Sequence, residues 1–101
     1  MSRIRVLIKD PGQKAREWNI ENQLETLQSI VGGYIEMIPI GDTMAMIVDE
    51  EGKLKGKKWN FDIHGGADCI VGTCIFTGVD GEDMTGLDDY QIRMLRRKLE
   101  A

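Results

Sequence analysis

Apolar and polar residues alternate from residue 3 to residue 9, which puts Ile4, Val6 and Ile8 on one side of an extended chain and predicts a strand. Asp10-Pro11-Gly12-Gln13 reads as a turn, after which residues 15 to 20 return as the partner strand, so the chain opens with a hairpin. Asn22 followed by Glu25 has the spacing of a capping box. Leu24, Leu27 and Val31 then fall at helical spacing until Gly32-Gly33 stops the run, predicting a short amphipathic helix. Residues 34 to 40 and 43 to 49 are apolar at nearly every position, with Gly41-Asp42 between them and the polar turn Asp49-Glu50-Glu51-Gly52-Lys53 after them. Two such runs predict strands covered on both faces, by the helix on one and by a second subunit on the other.

From residue 54 to residue 68 no period survives: Lys55-Gly56-Lys57-Lys58-Trp59-Asn60-Phe61-Asp62-Ile63-His64-Gly65-Gly66-Ala67 mixes base, aromatic, amide and glycine. It reads as a long loop, and loops of that length inside a small domain are usually functional. Residues 69 to 78 read as one strong strand in which Gly72 marks a bulge or a close approach. Asp80-Gly81-Glu82-Asp83 is an acidic turn. Asp88 with Gln91 forms a second capping box, Ile92, Leu95 and Leu99 make one apolar stripe, and Arg93, Arg96, Arg97 and Lys98 crowd the end of the segment, as the dipole of a closing helix favours. The class that follows is α+β: a mostly antiparallel sheet of about five or six strands with two short helices, in a single domain over residues 1 to 101.

Composition sharpens this in three ways. With 101 residues and 42% hydrophobic content, the chain has enough core to fold without a metal or disulfide framework. The N-terminus lacks the apolar core and small-residue cleavage site of a signal peptide, and no stretch is apolar enough to span a membrane, so a reducing cytoplasm is the expected location. Cys69 and Cys74, five apart in one apparent strand, point to opposite faces and are expected as buried reduced thiols. The formal charge is −4, from 17 acids and 13 bases. No base occurs between Arg16 and Lys53 or between Lys58 and Arg93, so an acidic body carries three basic patches. That balance argues against broad duplex DNA binding.

Little of the catalytic repertoire fits. Neither Gly32-Gly33 nor Gly65-Gly66 sits in a strand, phosphate loop and helix arrangement. One histidine and two cysteines do not make a zinc site, and Asp80, Glu82 and Asp83 lack the later glutamate of a calcium loop. No metal or cofactor is expected. Asp62 and His64, two apart, offer an acid/base pair without an identifiable nucleophile. The segment with specific character is the basic and aromatic one. Lys55, Lys57 and Lys58 with Trp59, Asn60 and Thr73 form a ligand-binding set suited to a nucleotide, with cations on phosphate and the indole on the base. The same lysines also suit an ordinary solvated turn.

Several ordered segments bear a resemblance: Leu27-Gln28-Ser29-Ile30-Val31-Gly32-Gly33-Tyr34-Ile35-Glu36, Asp49-Glu50-Glu51-Gly52-Lys53-Leu54-Lys55-Gly56 with Asn60, Ile70-Val71-Gly72-Thr73, and Gly81-Glu82-Asp83. Together they resemble a family of small proteins of unknown function met in phages, prophages and plasmids of Gram-positive bacteria. The chain departs from that pattern at Lys57-Lys58-Trp59 and His64-Gly65-Gly66. The resemblance implies no catalytic residues, only a context in which accessory proteins act against host systems. The expectation is a non-catalytic counter-defence protein that sequesters a small anionic, nucleotide-type signal near the interface of a homo-oligomer. The alternatives are an acidic inhibitor of a host protein, possible as a nucleic-acid mimic, and a small hydrolase using Asp62 and His64.

Overall fold

The opening alternation forms a hairpin: β1 (Arg3–Lys9) pairs antiparallel with β2 (Arg16–Glu21), Ile4 opposite Ile20. In the computed structural model, which describes residues 2 to 100, the chain continues through α1 (Leu24–Val31), β3 (Ile35–Ile40), β4 (Met44–Asp49), β5 (Trp59–Ile63), a 3-10 turn (His64–Gly66), β6 (Asp68–Val71), β7 (Cys74–Asp80), β8 (Asp83–Thr85) and α2 (Asp89–Leu99). The main sheet has the order β2-β1-β7-β4-β3, with β8 paired to β7, while β5 and β6 form a separate two-stranded sheet. Every pairing is antiparallel. The α+β reading therefore stands, with six strands in the main sheet.

Side-chain alternation divides the core between the two faces of that sheet. On one face Val6, Ile8, Ile47 and Ile75 pack against Leu27 and Val31 of α1. On the other, Leu7, Met46, Cys74 and Phe76 pack against Ile92 and Leu95 of α2 and Ile70 of β6. All six residues of β4 are buried, as their apolar run predicts. The second cover comes from α2 and the β5–β6 hairpin of the same chain, so the run at residues 43 to 49 needs no second subunit to bury it. β3 is half exposed at the sheet edge.

Several expectations at the level of elements are corrected. Asn22 does not cap α1: the cap position is Gln23, without a side-chain cap bond, and Asn22 instead donates from Nδ2 to the Met84 carbonyl at 3.4 Å. The segment expected as a loop contains β5, whose inward residue Asn60 is polar and so hides the strand period. Residues 69 to 78 are two strands, because Gly72 at φ 72° turns the chain out of the small sheet and into the main one. A side chain at Gly72 would also meet Lys57 Cδ at 2.8 Å. Cys69 and Cys74 consequently lie in different sheets, both free, and only Cys74 is buried. The Asp88 and Gln91 capping box is present in full, with reciprocal bonds of 2.7 and 2.9 Å.

Residues 50 to 73 are thus an excursion between two neighbours of the main sheet, since Ile47 of β4 pairs with Ile75 of β7. What the excursion builds is the roof of a cleft.

Candidate functional site

The cleft lies on the α2 side of the main sheet and has a volume of about 830 Å³, within the range of small-molecule sites, about 300–1,000 Å³. Its floor is Ile38 and Ile40 of β3, Met46 of β4 and Phe76 of β7, and its far wall is Leu95 and Leu99 of α2. Strand β5 and the turn that follows it make the roof. Phe61 stacks on Phe76 with centroids 5.9 Å apart, which ties roof to floor at a value of about 1 kcal/mol. Trp59 is 58% exposed at the lip. Its indole N–H donates to Asp62 Oδ1 at 2.8 Å, which holds the ring in place with a free face. At the other end of β5, His64 adopts φ 53°, a left-handed conformation uncommon for a side-chain-bearing residue.

The hinge of the roof is Asn60. Only 3% exposed, it donates from Nδ2 to the carbonyls of Lys9 (2.8 Å) and Gly72 (2.7 Å) and accepts at Oδ1 from Lys9 Nζ (2.9 Å). One amide therefore joins the end of β1, the exit of β6 and the cleft wall. A buried amide with all these bonds made is a fixed point.

The six residues singled out as a ligand set do not all meet here. Trp59 and Asn60 line the cleft. Lys55 and Lys57 go elsewhere: both ammonium groups lie 2.8 Å from Oδ2 of Asp49, and they donate to the carbonyls of Gly32 and Val31 respectively. Helix α1 has no base in its last turn, so these two lysines supply the positive charge its C-terminus favours. Burial opposes ionisation of Asp49, but hydrogen bonds from Lys55, Lys57 and the Glu51 amide outweigh it and hold the carboxyl far below the usual carboxylate range. Lys58 is exposed and outside the cleft lining. Thr73 donates from Oγ1 to Asp10 Oδ1 at 2.6 Å, pinning the β1–β2 turn. Lys53 is likewise paired, with Asp68.

The positive charges that do border the cleft are Lys9, at the end of β1, and Lys98, in the last turn of α2. Sequence reasoning passed over both, because residues 89 apart along the chain show no signal of proximity and Lys98 already had an explanation in the helix dipole. Asp62 and His64 both line the roof, with one oxygen of Asp62 engaged by Trp59. Among the described residues no group of three or more His, Cys, Asp or Glu is arranged to hold a metal ion, and no helix is long and apolar enough to cross a membrane.

Comparison with known proteins gives one match. A family model described as a domain of unknown function, DUF3846, matches residues 4–100. No curated protein and no solved structure matches the chain.

Proposed function

Because the chain belongs to the DUF3846 family of unknown function, we propose from its cleft that it is a non-catalytic binding protein that sequesters a small anionic, nucleotide-type molecule. The observation behind this reading is the cleft itself: an apolar floor of ligand size, open to solvent, with Trp59 held at its lip by Asp62. A planar ring entering it exchanges water for the indole face and for Phe61, and base stacking on an aromatic side chain is worth about 1–3 kcal/mol. Sequestration needs no bond to be made or broken, so it asks for shape and charge and not for a nucleophile. The setting we assign is that of the sequence resemblance: an accessory protein of a phage or plasmid, working against a nucleotide-signalling defence in the host cytoplasm. The lining comes from one chain, which makes the expected stoichiometry one ligand per chain in any oligomer.

The test is native mass spectrometry of the protein purified from cells with an active nucleotide-signalling defence, beside the same preparation from cells without one. Extra mass found only in the first, and lost from the Trp59→Ala variant, is the expected result and identifies the ligand. A clean unliganded species from both overturns the reading and turns attention to a host protein bound through the acidic surface. Turnover of the co-purified molecule, abolished by His64→Ala, would replace sequestration with hydrolysis.

A further inference from the structure

The wall formed by Lys9, Gly12 and Leu99 belongs to two cavities. On one side is the apolar cleft; on the other is a smaller pocket of about 440 Å³ bordered by Gln13, Lys14 and Glu100. Lys9 stands at this junction half-buried. Two of its three N–H groups are taken, by Asn60 Oδ1 at 2.9 Å and the Asp10 carbonyl at 3.2 Å, and both acceptors are neutral. It makes no ion pair among the described residues, and neither do Lys14 and Lys98. The contrast with the middle of the chain is plain, since Lys53, Lys55 and Lys57 each have a carboxylate. The direct bonds of Lys9 go to neutral groups, and the Asp10 carboxylate that feels its charge is itself bonded to Arg16 and Thr73, so a donor is left over for an arriving anion.

The geometry points to an anion subsite at this junction, with Lys9 as its centre and Lys14 and Lys98 on either side, that takes the phosphate of a phosphate ester whose organic group occupies the cleft. The inference rests on the binding role proposed above and deepens it by separating two halves of the ligand. The organic group meets Trp59, Phe61 and the apolar floor; the phosphate meets Lys9. Asn60 is a positioning residue that aims the ammonium, and the lysines of residues 53 to 57 take no part. The shared chemistry, a phosphate on an apolar or planar group, fits a nucleotide and an alkyl phosphate alike.

Amide NMR titrations of the ¹⁵N-labelled protein with AMP, adenosine and octyl phosphate test it. AMP is expected to bind about tenfold more tightly than adenosine, shifting the amides of residues 9, 10, 12 to 14 and 95 to 99 as well as the Trp59 indole. Lys9→Met should remove that advantage, and Lys98→Met, an exposed change safe for the fold, should weaken AMP severalfold and leave the Trp59 indole shift with adenosine in place, with Lys58→Met neutral. Equal affinities for AMP and adenosine, indifferent to the lysine changes, would overturn the subsite while leaving the cleft reading in place. Octyl phosphate bound with the same lysine dependence when AMP is not would uphold the subsite and defeat the nucleotide reading. No binding by any of the three would defeat both.

Discussion

A methyl group on Gly33 would land 2.6 Å from the Lys55 ammonium nitrogen and 2.7 Å from Asp49 Oδ1, inside the contact distance of any real side chain. Gly33→Ala must therefore push apart a carboxylate and the lysine that neutralises it. We expect a loss of about 2 kcal/mol, seen as a fall of roughly 10 °C in Tm; an unchanged melting curve would show that the cluster yields freely. This residue also explains why the site was only half legible. Sequence displays a charge but not its partner, so Lys55 and Lys57 read as cations open to a ligand, whereas Asp49 and two helix carbonyls engage them. Asn60 lines the cleft but commits its amide to backbone and Lys9, a role its residue type alone does not show. Trp59 is 58% exposed, a point the sequence left open between a ligand face and a place in the core.

Elements were legible wherever apolar side chains alone set their period. β1, β4 and α2 follow their patterns closely, and the capping box at Asp88 is formed as spaced. Asp88→Ala removes the acceptor for the Gln91 amide, which should cost about 1 kcal/mol and lower Tm by about 5 °C, with the loss confined to α2 in hydrogen exchange. An equal loss across the sheet would mean that the cap matters through Arg5, which bonds the adjacent Asp89 at 2.7 Å and Glu17 at 2.9 Å. The elements that escaped reading share one cause. In β5 the inward position is filled by an amide, and between β6 and β7 the break sits inside an apolar run, so hydrophobic periodicity signals neither.

At the scale of the whole molecule the charges act together. Asp10, Glu17, Asp49 and Asp68 all titrate below their ordinary values in the folded protein. For Asp10 the cause is chiefly the Thr73 hydroxyl and then Arg16, for Glu17 it is Arg5, and for Asp68 it is Lys53. Carboxyls depressed on folding stabilise the fold above their unfolded pKa of about 4 and lose that contribution as pH falls toward their folded values. Lys53 and Lys55, raised by their acids, contribute below about 10.5 and fade as pH rises past it. The Cys74 thiol, pushed well up by burial, adds a loss that begins at about pH 9, where the exposed thiol of the unfolded chain ionises. Chemical denaturation is thus expected to show a flat plateau from about pH 4 to about pH 9 and a steep decline below about pH 4. Asp49→Asn should lower the plateau by about 2 kcal/mol and soften the acid decline; an acid limb identical to that of the unaltered protein would put the dependence on the other three carboxylates. The three basic patches of the sequence have different fates at this scale. The middle one is largely spent on internal acids, while the first and last each lend a lysine to the cleft, a convergence made only by the sheet and α2 folding over it.

The excursion at residues 50 to 73 separates the pairing of the main sheet from the shape of the cleft. β4 and β7 pair directly, so their register is set by their own ladder, and the segment strung between them meets the sheet through side chains. The floor of the cleft belongs to the core, and its roof is fastened to that core by Ile70 and Asn60, with the aromatic lip left exposed. Substitutions at the exposed Trp59 alter the lip while the paired β4 and β7 beneath keep their register.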